Sequence, residues 1–292
     1  MKKAFAKLRS MLSKSNIKNE QILPSANPNP IPIVPRDLAS IGLQILHDSP
    51  DAIIDLIAIH GQSGHPTNSW TNRDSKVLWL RDLLPESLEI NIGVKIRVLS
   101  YGYVPLEPME IIGAGLMNSI ERLRTETKSE GRKIIWCAHS FGGPLLRAAI
   151  TAVPPSRDIQ LSTHAFLFFG VAKNMGFENL GTILTLPEAN LSEEMRELRK
   201  GMLWLKMGDE GFERLCRHLG WRIVWFKEVG NEGDKVRGVE NVNRDEDVEG
   251  EMVVRLGKKH GAMIRFAGGE DEDFKVVLES VRQVVEGSIK GS

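Results

Sequence analysis

One passage constrains the fold of this chain more than any other: an apolar run over 133–138 that turns at Ser140 into an amphipathic helix. Ile134, Ile135, Trp136 and Cys137 form a short, continuously apolar stretch, which predicts a buried strand. Gly142 and Gly143 then lead into Leu145, Leu146, Ala149 and Ile150, one apolar face at helical spacing, which Pro154 and Pro155 terminate. Between the two lies Ala138-His139-Ser140-Phe141-Gly142, a G-x-S-x-G pattern with Ala in the first glycine position. Small residues flanking the serine let strand and helix crowd together, so that the hydroxyl projects from a strained turn. A serine hydroxyl is a weak nucleophile until a base takes its proton, and it must stand clear of the scaffold to meet a substrate. Ser140 is therefore the candidate nucleophile, set against the bland alternative of a coincidental strand-to-helix turn.

Similar apolar runs predict strands over 55–59, 95–101, 165–169, 221–226 and 251–256. Between them the spacing changes to helical. Leu116, Ile120 and Leu123 form one face. Leu191, Met195, Leu198, Met202 and Leu205 form another, which Asn190 and Glu193 open in the manner of a capping box. Phe274, Val277, Leu278, Val281 and Val284 form a closing helix. Strands alternating with helices imply an α/β class, with a mainly parallel central sheet and helices on both faces. Residues 229–251, rich in Asp, Glu, Asn and Gly without periodicity, read as a long excursion loop. Pro24, Pro28, Pro30, Pro32 and Pro35 make residues 20–36 an extended linker, so a basic N-terminal tail and linker occupy 1–36 and one domain occupies 37–292.

A chain of 292 residues suffices for one large α/β domain. Its 38 basic residues balance 38 acidic ones, which argues against a nucleic-acid partner. No run approaches the roughly 20 apolar residues of a spanning helix, so any membrane contact is expected to be peripheral. Cys137 and Cys216 are too few for a disulfide framework and lack metal-ligand spacing. They read as two reduced thiols in an intracellular protein, and the chemistry requires neither metal nor cofactor. Within residues 1–19, six Lys and Arg residues without an acid accompany Phe5, Leu8 and Leu12 on one helical face. That pattern fits a mitochondrial-type presequence or a basic surface anchor, or equally a solvated tail carrying no address.

A nucleophilic serine needs a base, an acid that orients the base, and N–H donors for a developing oxyanion. Where a serine sits on such an elbow, the chain order is serine, acid, histidine. Of seven histidines only His260 lies late enough, in a loop between a predicted strand and the closing helix. The acid should follow the strand over 221–226, which makes Glu228 the first candidate, with Asp234, Asp245 and Asp247 as competitors. Phe141, after the serine, supplies one candidate oxyanion donor. The main chain of Gln62, in His60-Gly61-Gln62-Ser63-Gly64 after an early strand, supplies the second, unless that stretch is only a glycine-rich turn. His60 reads as orienting this loop and His65 as a polar contact within it, while His47, His139, His164 and His218 read as structural or surface residues.

These residues together resemble the lipase-like α/β-hydrolase domain of SERAC1-type and PGAP1-like proteins, also found at the N-terminus of many fungal NLR-type proteins. The resemblance spans about residues 40–285. It is carried by Ile59-His60-Gly61-Gln62-Ser63-Gly64-His65-Pro66 with Ser69-Trp70-Thr71, Trp79-Leu80-Arg81-Asp82-Leu83-Leu84, Tyr101-Gly102-Tyr103, Ala138-His139-Ser140-Phe141-Gly142-Gly143, Phe168-Phe169-Gly170 and His260-Gly261-Ala262-Met263. It implies an α/β-hydrolase fold and a serine esterase or lipase activity on ester, chiefly lipid, substrates. Nucleophile, base and acid would fall on Ser140, His260 and Glu228. It also implies association with mitochondrial or endoplasmic-reticulum membranes, against a cytoplasmic alternative. The chain departs from the pattern at Val171-Ala172-Lys173-Asn174 and in a shortened stretch between Tyr103 and Leu116, both on the substrate side of such folds. A catalytically silent interaction module and a lipid acyltransferase using the same three residues are the alternatives.

Overall fold

The computed structural model describes residues 40–104, 107–152, 157–173, 187, 191–229, 238–240 and 251–290. The tail and linker over 1–36, Asn190, and the competing acids Asp234, Asp245 and Asp247 lie outside them. Eight strands form one sheet: β1 (Gly42–His47), β2 (Ile54–Ile59), β3 (Ile96–Gly102), β4 (Lys133–His139), β5 (Thr163–Phe169), β6 (Arg222–Glu228), β7 (Gly238–Glu240) and β8 (Glu251–Leu256). Their spatial order is β1-β3-β2-β4-β5-β6-β8-β7. The six inner strands are parallel, and the edge strands β1 and β7 run antiparallel to their neighbours.

Helices connect the strands: α1 (Trp79–Asp82), α2 (Leu84–Ile92), α3 (Met109–Glu126), α4 (Gly142–Ala152), α5 (Arg157–Ser162), α6 (Glu193–Leu219) and α7 (Glu272–Lys290). Alternate residues of the strands feed two separate cores. Ile57 and Ile59 of β2, with Trp136 of β4, pack under α3, α4 and α6 through Leu116, Leu145 and Phe212. Leu56 and Ala58, with Ile135 and Cys137, pack under α1, α2 and α7 through Trp79, Leu88 and Val281. Because both faces of the inner strands are covered, those strands read as unbroken apolar runs instead of alternating ones. One buried thiol falls in each layer, Cys216 in the first and Cys137 in the second, and neither forms a disulfide.

Three features depart from the sequence expectation. The loop predicted over 229–251 contributes an edge strand, β7, to the sheet. Helix α6 is capped by Ser192, whose side chain accepts from the Met195 N–H, where the capping-box pattern had pointed to Asn190. Helix α3 begins at Met109, well before its first predicted residue, so the stretch that looked shortened is in part helix.

At the N-terminal end of the strands, Asp55 is fully buried and receives three guanidinium groups. Arg124 Nη1 lies 2.8 Å and Arg97 Nη2 2.9 Å from Oδ2, and Arg132 Nη1 lies 3.1 Å from Oδ1. Charges removed from water are tolerated only when so compensated. This clamp ties β2, β3 and α3 together at the end of the sheet opposite Ser140. Among the described residues no helix is long and apolar enough to cross a membrane.

Candidate active site

Sheet register brings the predicted site residues to one edge. Ile59 pairs with Ala138, His139 with Phe169, Phe169 with Phe226, and Glu228 with Leu256. The C-terminal ends of β2, β4, β5, β6 and β8 therefore align, and the loops beyond them converge, as ligand sites in open α/β sheets do.

Ser140 occupies the left-handed region, with φ 51°, a conformation a non-glycine residue adopts only under constraint. Its N–H donates to Phe169 O at 3.0 Å, and its carbonyl accepts from Gly143 N at 3.0 Å, which fixes the turn from both sides. The helix starts so close to β2 that a Cβ on Gly142 would stand 2.6 Å from Ile59 O. Glycine is required there by that approach, and this answers the sequence argument for a small residue after the serine. Ala138 fits fully buried between β2 and β5, so the missing first glycine costs the turn nothing visible.

His260 reaches this serine across 120 positions of sequence: Nε2 stands 3.0 Å from Ser140 Oγ. The turn that carries it is exposed at His260, yet firmly rooted. Met263 and Ile264 are buried beneath it, and Ile264 O accepts from the Trp79 indole at 3.0 Å. Trp79 itself sits edge-on to Phe266 and Phe274. Glu228, the last residue of β6, also comes to His260, but its Oε1 accepts from the main-chain N–H of that residue at 2.7 Å. Among the described residues no carboxylate bonds the ring Nδ1, which lies against the backbone of Gly170.

The loop after β2 runs alongside. A Cβ on Gly61 would stand 3.2 Å from Ser140 Cβ, and Gly64 N closes a turn onto Gly61 O at 2.9 Å, with Gln62 at its start. His60 holds this loop from beneath. Its Nδ1 lies 2.7 Å from Gly61 O, so that nitrogen donates, and Nε2 accepts from Tyr103 N at 3.4 Å; one neutral tautomer meets both. The Tyr103 ring stacks on the imidazole with centroids 4.3 Å apart, and its hydroxyl donates to His60 O. His65 makes polar contacts within the loop, its Nδ1 accepting from Thr67 N and Asn68 N. Neither Gln62 N–H nor Phe141 N–H donates to an acceptor among the described residues.

Sequence reasoning missed His139. It is buried, and its Nε2 stands 3.0 Å from His260 O. Burial, aided by the neighbouring His260, holds its pKa down to about 4, so the ring is neutral near pH 7. Arg147 of α4 was also overlooked. It is buried, donates to Ala172 O and Lys173 O at 3.0 Å each and pairs with Asp209 of α6 at 2.7 Å, thereby fixing the backbone that follows Gly170.

No protein-family model matches the chain, and no curated protein matches it in sequence. Solved structures do. The chain is similar to a structure reported under LipS and LipT, two metagenome-derived lipolytic enzymes, at 13% identity over 85% of this chain and 99% of that one, with a TM-score of 0.45. It is similar to a soluble variant of monoglyceride lipase from Saccharomyces cerevisiae at 10% identity, over 84% and 90% of the two chains, with a TM-score of 0.48. A haloalkane dehalogenase variant from Bradyrhizobium elkanii matches at 11% identity, over 86% and 95%, with a TM-score of 0.44. Likenesses this distant carry nothing about substrate. The chain's own strand order, the sharp turn at Ser140 after the central strand and the late turn bearing His260 give it an α/β-hydrolase fold.

Proposed function

We propose that the protein is a serine hydrolase of ester bonds, with Ser140 as nucleophile and His260 as general base. The observation that carries this reading is the 3.0 Å approach of His260 Nε2 to Ser140 Oγ on a left-handed elbow. In the reaction, Nε2 takes the hydroxyl proton as Oγ bonds to the ester carbonyl carbon. The resulting oxyanion is received by the N–H groups of Phe141 and Gln62, both without an intramolecular acceptor among the described residues. The carbon–oxygen bond to the alcohol then breaks, and the alcohol leaves with the proton from His260. Water, deprotonated by the same imidazole, hydrolyses the acyl-serine and restores the enzyme.

Glu228 is the acid of this reading. Its carboxylate, 2.7 Å from His260 N, stabilises the imidazolium that forms and holds the turn that carries it. The resemblance to SERAC1-type and PGAP1-like domains directs the search for substrate toward lipid esters. It also directs residues 1–36 toward a targeting or membrane-surface role, separate from a hydrolase domain over 37–292. Tagged protein with and without residues 1–36 tests the latter: the same diffuse signal for both removes the targeting role.

A silent binding module is the second reading, motivated by Glu228, whose carboxylate meets the main-chain N–H of His260 instead of its ring. Labelling with a fluorophosphonate probe decides between them. The expected result is labelling of the wild type that disappears in Ser140→Ala and collapses in His260→Ala. An unlabelled wild type, or equal labelling of Ser140→Ala, removes the hydrolase reading. Product analysis with an added alcohol acceptor separates hydrolysis from acyl transfer.

A further inference from the structure

We infer that His139 is a positioning residue for His260, its Nε2–H clamping the His260 carbonyl while Glu228 clamps the N–H of the same residue. The inference rests on the reading of His260 as the base.

Two distances define the clamp. His260 N donates to Glu228 Oε1 at 2.7 Å, and His260 O lies 3.0 Å from His139 Nε2. A carbonyl oxygen only accepts, so the proton of the His139 ring resides on Nε2. Both main-chain polar groups of His260 are thus taken up by side chains from strands β4 and β6, the rigid part of the molecule. This matters because His260 itself is exposed, on a turn that lies beyond the end of β8. A ring on such a turn holds a 3.0 Å approach to Ser140 only if the peptide beneath it cannot rotate.

The electrostatic surroundings fit the same role. The groups facing His139 are His260, Arg265 and His60, all basic, and together with burial they disfavour a charged His139. The two imidazoles lie 4.9 Å apart. When His260 accepts the serine proton it becomes cationic, and a second cation at that separation would oppose the transfer. A neutral donor holds the base in place without that repulsion. His139 lies in the sequence next to Ser140, so the strand that presents the nucleophile also presents the hook for its base.

The experiment uses the full chain, with p-nitrophenyl butyrate as substrate and fluorophosphonate labelling as a second readout. His139→Gln keeps an amide N–H donor near the position of Nε2, and His139→Leu removes it. The expected result is a kcat lowered about 10- to 100-fold in His139→Leu with KM nearly unchanged, and substantial recovery in His139→Gln. Folded His139→Leu with wild-type kcat overturns the inference, as does an equal loss in both variants, which marks a packing role alone. Should His139→Leu not fold, nitrogen-15 shifts of the wild-type imidazoles decide: a neutral Nε2–H tautomer for His139 at pH 6 supports the clamp, and an Nδ1–H tautomer refutes it. Failure of the hydrolase reading is recognised separately, by labelling that does not depend on Ser140, and the tautomer then remains the judge of the contact.

Discussion

Gly170, the first residue after β5, lies directly against the imidazole of His260: a Cβ placed on it would stand 2.6 Å from Nδ1, and its φ is +58°. Two independent constraints therefore demand glycine. Gly170→Ala should cost about 1 kcal/mol in backbone strain and push the ring away from Ser140. We expect fluorophosphonate labelling slowed by about 100-fold with a modest fall in Tm. A variant as reactive as wild type would mean that the ring operates from another rotamer.

Glu228 offers a graded test. Glu228→Gln retains an acceptor for the His260 N–H and loses the charge, whereas Glu228→Ala loses both. Ester turnover should fall about 10-fold in the first and about 100-fold in the second, with KM little changed. If Glu228→Ala turns over at the wild-type rate, the acid lies elsewhere, and Asp234 and Asp245 become the residues to substitute.

The root of the His260 turn is the Trp79 indole. Trp79→Phe removes the bond to Ile264 O and leaves that carbonyl buried, at a cost of about 1–3 kcal/mol. Equilibrium unfolding in urea should report this as a lower midpoint at unchanged slope.

At the far end of the sheet, Asp55→Ala strips the shared acceptor from Arg97, Arg124 and Arg132. Arg124 keeps Asp158 at 2.7 Å, but leaving the buried Arg97 guanidinium without its carboxylate costs about 3–5 kcal/mol, or a fall in Tm of about 10 °C. Because this clamp stands opposite Ser140, the fraction that remains folded should label at the wild-type rate.

Acid stability follows from His139. Its pKa is about 4 in the folded protein and about 6.5 when unfolded, so the unfolded chain binds the extra proton between those values. Stability is therefore complete above about pH 6.5, falls as pH drops toward 4 and levels off below, by about 3 kcal/mol for this group. Burial lowers His164 as well and adds to the slope. Unfolding free energies measured from pH 4 to 7 should show a shallower rise in His139→Gln than in the wild type; parallel curves would contradict the neutral imidazole.

Much of this arrangement could be read from the sequence because its signals are local. The strand, bend and helix around Ser140 stand contiguous, and the late strand, loop and helix around His260 repeat that legibility. What escaped depends on distant partners. Nothing adjacent to His139 reveals that it meets a carbonyl 121 positions away. The glycine at 170 is diagnostic only once the turn bearing His260 is known to lie against it. Strand β1, Gly-Leu-Gln-Ile-Leu-His at an edge, is only half buried and lacks the unbroken apolar run of the inner strands. Helix α1 has four residues, too few to show a period. Strand β7 arises from pairing with β8 inside a stretch with no periodicity of its own.

The two thiols provide a clock for the opening of the molecule. Burial raises the Cys216 pKa to about 12 and raises that of Cys137 as well, so both are unreactive while the protein is closed. Since Cys216 lies on the inward face of α6 and Cys137 on β4 beneath the opposite helical layer, alkylation by a maleimide requires the corresponding layer to lift from the sheet. Mass spectrometry of the two sites over time would tell whether the faces separate together or one before the other.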